Sequence, residues 1–102
     1  MKTTRTLIRE LANEYLEDAN YHRGIISGEW IDRVSDELNL INLTDLELSN
    51  MWDMVWMTLE CEYSHHRINN EFDEAMKYLD VQSAFTEVVN REARIRRTYK
   101  KL

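Results

Sequence analysis

The sequence predicts an all-α fold, a compact bundle of four to five helices forming a single domain over residues 1–102. Three observations carry that expectation. The chain has no proline and only two glycines, Gly24 and Gly28, whereas a sheet protein needs turn residues between its strands. Apolar residues recur at three- and four-residue intervals along most of the length. One segment, Thr44-Asp45-Leu46-Glu47, spells out a helix start. A chain of this length has room for one hydrophobic core and no second.

The first helix is expected over 4–23. Leu7, Ile8, Leu11, Tyr15, Leu16 and Ala19 make its apolar stripe, and Gly24 is the natural stop because glycine takes the left-handed conformation past a helix end. Ser27 is a candidate N-cap for a second helix over 28–39, with Trp30, Ile31, Val34 and Leu38 pointing inward. Leu38 to Leu43 alternates imperfectly and, lacking a partner strand, reads as an extended linker. The third helix, over 45–64, starts at a capping box of Thr44 and Glu47, with Leu43 and Leu48 as a hydrophobic staple.

That third helix looks apolar on two sides. Leu48, Met51, Trp52, Val55, Trp56, Leu59 and Tyr63 share one broad face, and Trp52 and Trp56 are expected in the core. Met54, Met57 and Cys61 form a second stripe, and Ser49, Asp53 and Glu60 a polar strip. Asn69 or Asn70 is expected to cap a fourth helix over 70–79 with Phe72, Ala75, Met76 and Leu79 inward. A fifth, over 81–100, carries Val81, Ala84, Phe85, Val88, Ile95 and Tyr99. The last two stripes run about half a turn out of phase, which favours a break near Asp80 over one long helix.

Charge is unevenly placed. Residues 1–90 hold 7 Lys/Arg against 18 Asp/Glu, a net of −11, while residues 91–102 hold six basic residues against Glu92 alone, a net of +5. The lone Cys61 rules out an internal disulfide and suits a reducing compartment. No stretch reaches the roughly 20 apolar residues of a membrane span, and Arg5, Arg9 and Glu10 interrupt the N-terminal apolar run that a signal peptide needs. A cytoplasmic protein without a membrane partner is therefore expected.

Catalytic chemistry finds little material. Cys61 and His65 stand one helical turn apart with His66 beside them, but a closed zinc site wants four ligands, and only His22 is left to add. Cys61 lies on an apolar stripe, where cysteine behaves as a small hydrophobe. His65 and His66 fit better as helix C-terminal residues facing free carbonyls. No glycine-rich loop is present to cradle phosphate. The sequence predicts no enzyme, no metal and no cofactor.

The surfaces carry more. Glu10, Glu14, Glu17 and Asp18 on the first helix and Glu29, Asp32 and Asp36 on the second form rows of negative charge suited to a basic partner, including a groove that normally holds nucleic acid. Met54, Met57 and Cys61 are soft side chains suited to an adaptable contact, with a foreign protein or a second copy in a homodimer. Arg91, Arg94, Arg97 and Lys101 are candidates for contact with phosphate or an acidic surface, although some basic residues belong at a helix C-terminus for its dipole alone. In character the chain resembles the small acidic helical products of phages and mobile elements that block host enzymes or defence systems, anti-CRISPR proteins among them, although it matches no family motif residue by residue. The function expected is that of a small acidic protein-binding module, an inhibitor or modulator of a nucleic-acid-handling protein. The alternatives are a nucleic-acid-associated regulator acting through the basic C-terminal segment and a homo-oligomeric structural protein.

Overall fold

Helix periodicity is realised as four α-helices and one 3-10 turn in the computed structural model, which describes residues 2–17 and 28–100. In chain order they are α1 (Thr4–Glu17), α2 (Gly28–Glu37), a 3-10 helix (Leu40–Asn42), α3 (Asp45–Ile68) and α4 (Phe72–Lys100). No strand occurs among the described residues. The C-terminal part of the expected first helix, the stop at Gly24 and the Ser27 cap lie outside them.

The start of α3 is as expected. The Glu47 amide donates to Thr44 Oγ1 at 3.1 Å and the Thr44 amide to Glu47 Oε1 at 2.9 Å, so two of the helix's orphan donors are satisfied reciprocally. These bonds to Thr44 hold the Glu47 carboxyl below the usual glutamate range. Leu48 is buried and Leu43 packs partly against the core, which completes the staple.

Other boundaries differ from the expectation. The segment after α2 is no extended linker. Asn39 takes the left-handed conformation at φ 53°, which asparagine tolerates, and turns the chain into the 3-10 helix that places Leu40 in the core. The third helix continues four residues beyond 64, to Ile68. Asn69 and Asn70 close this helix and do not open the next. Asn70 is left-handed at φ 60°, its amide donates to the Arg67 carbonyl, and the Glu71 amide reaches the His66 carbonyl at 2.8 Å, a Schellman closure with asparagine in place of glycine.

The largest correction concerns 70–100, where α4 is one helix of 29 residues with no break at Asp80. Counting Phe72 and Met76 as core exaggerated the phase shift, and the one helix turns a different face inward near its start. Both are exposed, at 59% and 43%, and only Ala75 of that quartet is fully buried. From Tyr78 onward, Val81, Phe85, Val88 and Val89 follow one line toward the core, and Ala75 is buried about one turn before it. Asp80 has no glycine or proline beside it to end the helix.

Packing is centred on the antiparallel pair α3–α4; α1 lies across both, and α2 lies on α4 and the 3-10 turn. Trp30 joins the layers. Its ring packs against Tyr15 (centroids 4.9 Å apart) and edge-on to Phe85 (5.0 Å), and its Nε1–H donates to the Leu11 carbonyl at 3.0 Å. A buried indole thus keeps its one polar atom satisfied. A 29-residue helix is about 43 Å long, which sets the long axis of a 49 × 26 × 26 Å molecule. Trp52 is half-buried against the core, but Trp56 is 42% exposed and is not a core residue.

Candidate interaction surfaces

Acidic side chains on α1 and α2 have different fates. Glu10 pairs with Lys2 at 2.9 Å, and Glu14 with Arg33 of α2 at 2.8 Å, so two of the α1 candidates are engaged within the molecule. Glu17 is exposed, and Asp18 lies outside the described residues. On α2, the carboxylates of Glu29, Asp32 and Asp36 are all exposed and make no ion pair or hydrogen bond with another described residue. At 100° per residue the three fall within about 60° of one another. The side of α2 away from Trp30 and Val34 therefore carries a row of three carboxylates unpaired among the described residues, with Arg33 beside them turned to Glu14.

The basic end divides in a way that composition conceals. Arg96 is a structural residue. Its side chain is only 17% exposed and bonds Glu92 at 3.0 Å, Asp45 at 3.1 Å and the Leu40 carbonyl at 2.8 Å. This fork ties the end of α4 to the 3-10 turn and the first residue of α3. The bond to Glu92, followed by that to Asp45, raises the Arg96 pKa further. The signal for part of this was visible as Glu92 four residues before Arg96; the Asp45 and Leu40 partners, more than 50 residues away, had none. Arg94 pairs with Glu87 at 2.6 Å. Arg91 and Arg97 are exposed and unpaired among the described residues. Lys101 lies outside them.

A groove of about 420 Å³ runs between the start of α3 and the end of α4. Leu48, Trp52, Val89 and Ala93 supply its buried and half-buried lining, and Ser49, Asn90 and Arg97 are exposed at its edge. Trp56 stacks on Trp52, rings 5.4 Å apart and nearly parallel. Sequence reasoning missed this groove because segments some forty residues apart form it.

The outward face of α3 carries the expected second stripe. Met54 (36% exposed), Met57 (57%) and Cys61 all face away from the core, and Ile68 (79%), which was not among the candidates, extends the row. The histidines at the end of α3 do not bind its free carbonyls through their rings. His66 Nδ1 lies 3.3 Å from Glu71 Oε1 and its ring stacks on Tyr78, while His65 Nε2 lies 3.3 Å from Asn69 Nδ2. Among the described residues no three His, Cys, Asp or Glu side chains gather as a metal ion requires, and no helix is long and apolar enough to cross a membrane.

Comparisons with protein families, with characterised proteins and with solved structures find no match to this chain. What fold and surfaces define is a class: a small all-α domain presenting an acidic row on α2, an apolar stripe on α3 and a basic end on α4.

Proposed function

We propose that this protein is a binding module that occupies a basic, nucleic-acid-handling surface of another protein and thereby inhibits or modulates it, in the manner of phage and mobile-element inhibitors. One observation carries the reading: Glu29, Asp32 and Asp36 stand exposed on one side of α2 and unpaired among the described residues. Desolvating carboxylates is costly unless a cation replaces the water, so the row discriminates strongly in favour of a basic partner. A body of net charge −11 over residues 1–90 adds long-range attraction and steers the encounter. The alternative, phosphate contact through the C-terminal segment, has less to work with, because Arg94 and Arg96 are already engaged inside the molecule.

The test uses the tagged full chain to capture partners from its own organism, followed by competition with nucleic acid for the captured protein. The expected result is one basic partner whose nucleic-acid binding is displaced. Replacing Glu29, Asp32 and Asp36 together by lysine should abolish capture while leaving the helical circular dichroism unchanged. Capture that survives the triple replacement, or a partner that binds nucleic acid undisturbed, would overturn the reading.

A further inference from the structure

A second surface, independent of the α2 row, has a pattern of its own. Along the outward face of α3, Asn50, Met54, Met57, Cys61, Ser64 and Ile68 are spaced 4, 3, 4, 3 and 4 residues apart. That is a heptad seam, the spacing that lets one helix lie along another. It spans 19 residues, about 27 Å of helix, on the side that neither α1 nor α4 covers. Met54, Met57 and Ile68 are its exposed apolar members, and Asn50 and Cys61 are exposed with them.

The flank of this seam selects the partner. Asp53, Glu60 and Arg67 are seven residues apart, so they form one edge row beside it. Asp53 and Arg67 are exposed and unpaired among the described residues, whereas Glu60 is drawn toward α4 by the Gln82 amide at 3.4 Å. In an antiparallel pair related by a two-fold axis near Glu60, this row faces its own reverse: two Asp53–Arg67 contacts form, one on each side of the axis, and the two Glu60 carboxylates, each held toward its own α4, flank the axis between them. In a parallel pair this row would face the opposite flank of the partner helix, which carries Met51, Thr58 and His65, and would form no such ion pairs. Only the antiparallel orientation brings the row against itself, and there its two ends are oppositely charged.

We infer that the outward face of α3 pairs antiparallel with α3 of a second copy of this chain, its apolar seam buried and its Asp53–Arg67 contacts formed across the two-fold axis. Only three exposed apolar side chains line the seam, a small core for an interface, so the dimer is reversible and concentration-dependent.

Sedimentation equilibrium of the full chain over a range of concentrations, up to about 1 mM, tests this. The wild type should show a monomer–dimer equilibrium, and Met57→Lys should be monomeric with unchanged circular dichroism. Asp53→Arg and Arg67→Asp should each weaken the dimer by roughly tenfold, since each turns two attractive contacts into two repulsive ones. The double exchange, Asp53→Arg with Arg67→Asp, should restore it to near the wild-type value, which an antiparallel pair alone permits. A monomer throughout, a dimer indifferent to Met57→Lys, or a double exchange no better than the singles would each overturn the inference. None of these outcomes bears on the α2 row, whose failure or success is read separately by partner capture.

Discussion

The two sides of α3 hold similar residues and meet opposite environments. Toward α4 and α1, Leu48, Val55 and Leu59 are buried to 5% exposure or less; on the other side Met57 and Ile68 are 57% and 79% exposed. Both rows keep helical spacing, and both are apolar. The difference lies in what is placed against them. Hydrophobicity along a helix tells how many faces seek cover, and the topology tells which of them finds it within the chain. A helix covered on one apolar side only has the other left for association.

The largest effect expected on that contrast is from paired truncations. Leu59→Ala, at 0% exposure, should lower the unfolding free energy by about 2–5 kcal/mol through lost burial and the cavity left behind. Met57→Ala on the opposite side should change it by less than about 0.5 kcal/mol. Urea unfolding, at concentrations where the chain is monomeric, reads both; equal costs would break the comparison.

A middle-sized effect concerns what holds the inner side in register with α4. Arg96→Leu removes the fork to Glu92, Asp45 and the Leu40 carbonyl, and should cost about 1–3 kcal/mol. Arg96→Lys should recover little, because one ammonium does not reproduce the planar set of donors. Arg94→Ala, which breaks only an exposed pair with Glu87, should fall within about 1 kcal/mol of the wild type. Thermal and urea denaturation of the three variants, ranked, sharpen the distinction between structural and surface arginines.

The smallest effect is at the α3 start, which belongs to both sides. Thr44→Ala should cost about 1 kcal/mol through loss of the cap. Its partner Glu47 has a pKa depressed in the folded state, so its stabilising contribution is complete above the unfolded-state pKa. It is lost as pH falls through the lower folded value. Glu47→Gln should therefore flatten this part of the acid limb in a stability–pH profile, while leaving the slope between about pH 7 and 9 that of the wild type.

How much of this was legible depended on how local its cause is. The capping box at Thr44 and Glu47 and the Met54–Met57–Cys61 stripe arise within one helix, and the sequence shows them directly, whereas the outward placement of the stripe is set by packing. The Asn70 closure is local too, but asparagine suits both a helix start and a left-handed helix end, and only the neighbouring backbone bonds separate the two. Phe72 and Met76 read as core because they are large and apolar, yet they are exposed, and their own segment carries no mark of that. The exposure of Trp56, the α3–α4 groove and the Arg96 fork all depend on segments distant in sequence, and no periodicity within one segment encodes them.

The turn that joins α3 to α4 has a consequence for how the chain finds this structure. Three residues, Asn69 to Glu71, separate two helices of 24 and 29 residues. Bringing those helices together closes almost no loop and so costs little chain entropy. The antiparallel hairpin contains most of the tertiary contacts in the molecule, which gives the topology a low contact order, the kind associated with rapid folding. Ordering can spread outward from the Schellman closure at Asn70 toward the far end of the pair. There the Arg96 bond to the Leu40 carbonyl, spanning 56 residues of chain, joins the segment before α3 to the end of α4. The sequence-distant clasp thus stands at the end of the hairpin opposite its turn, where the helices would otherwise fray.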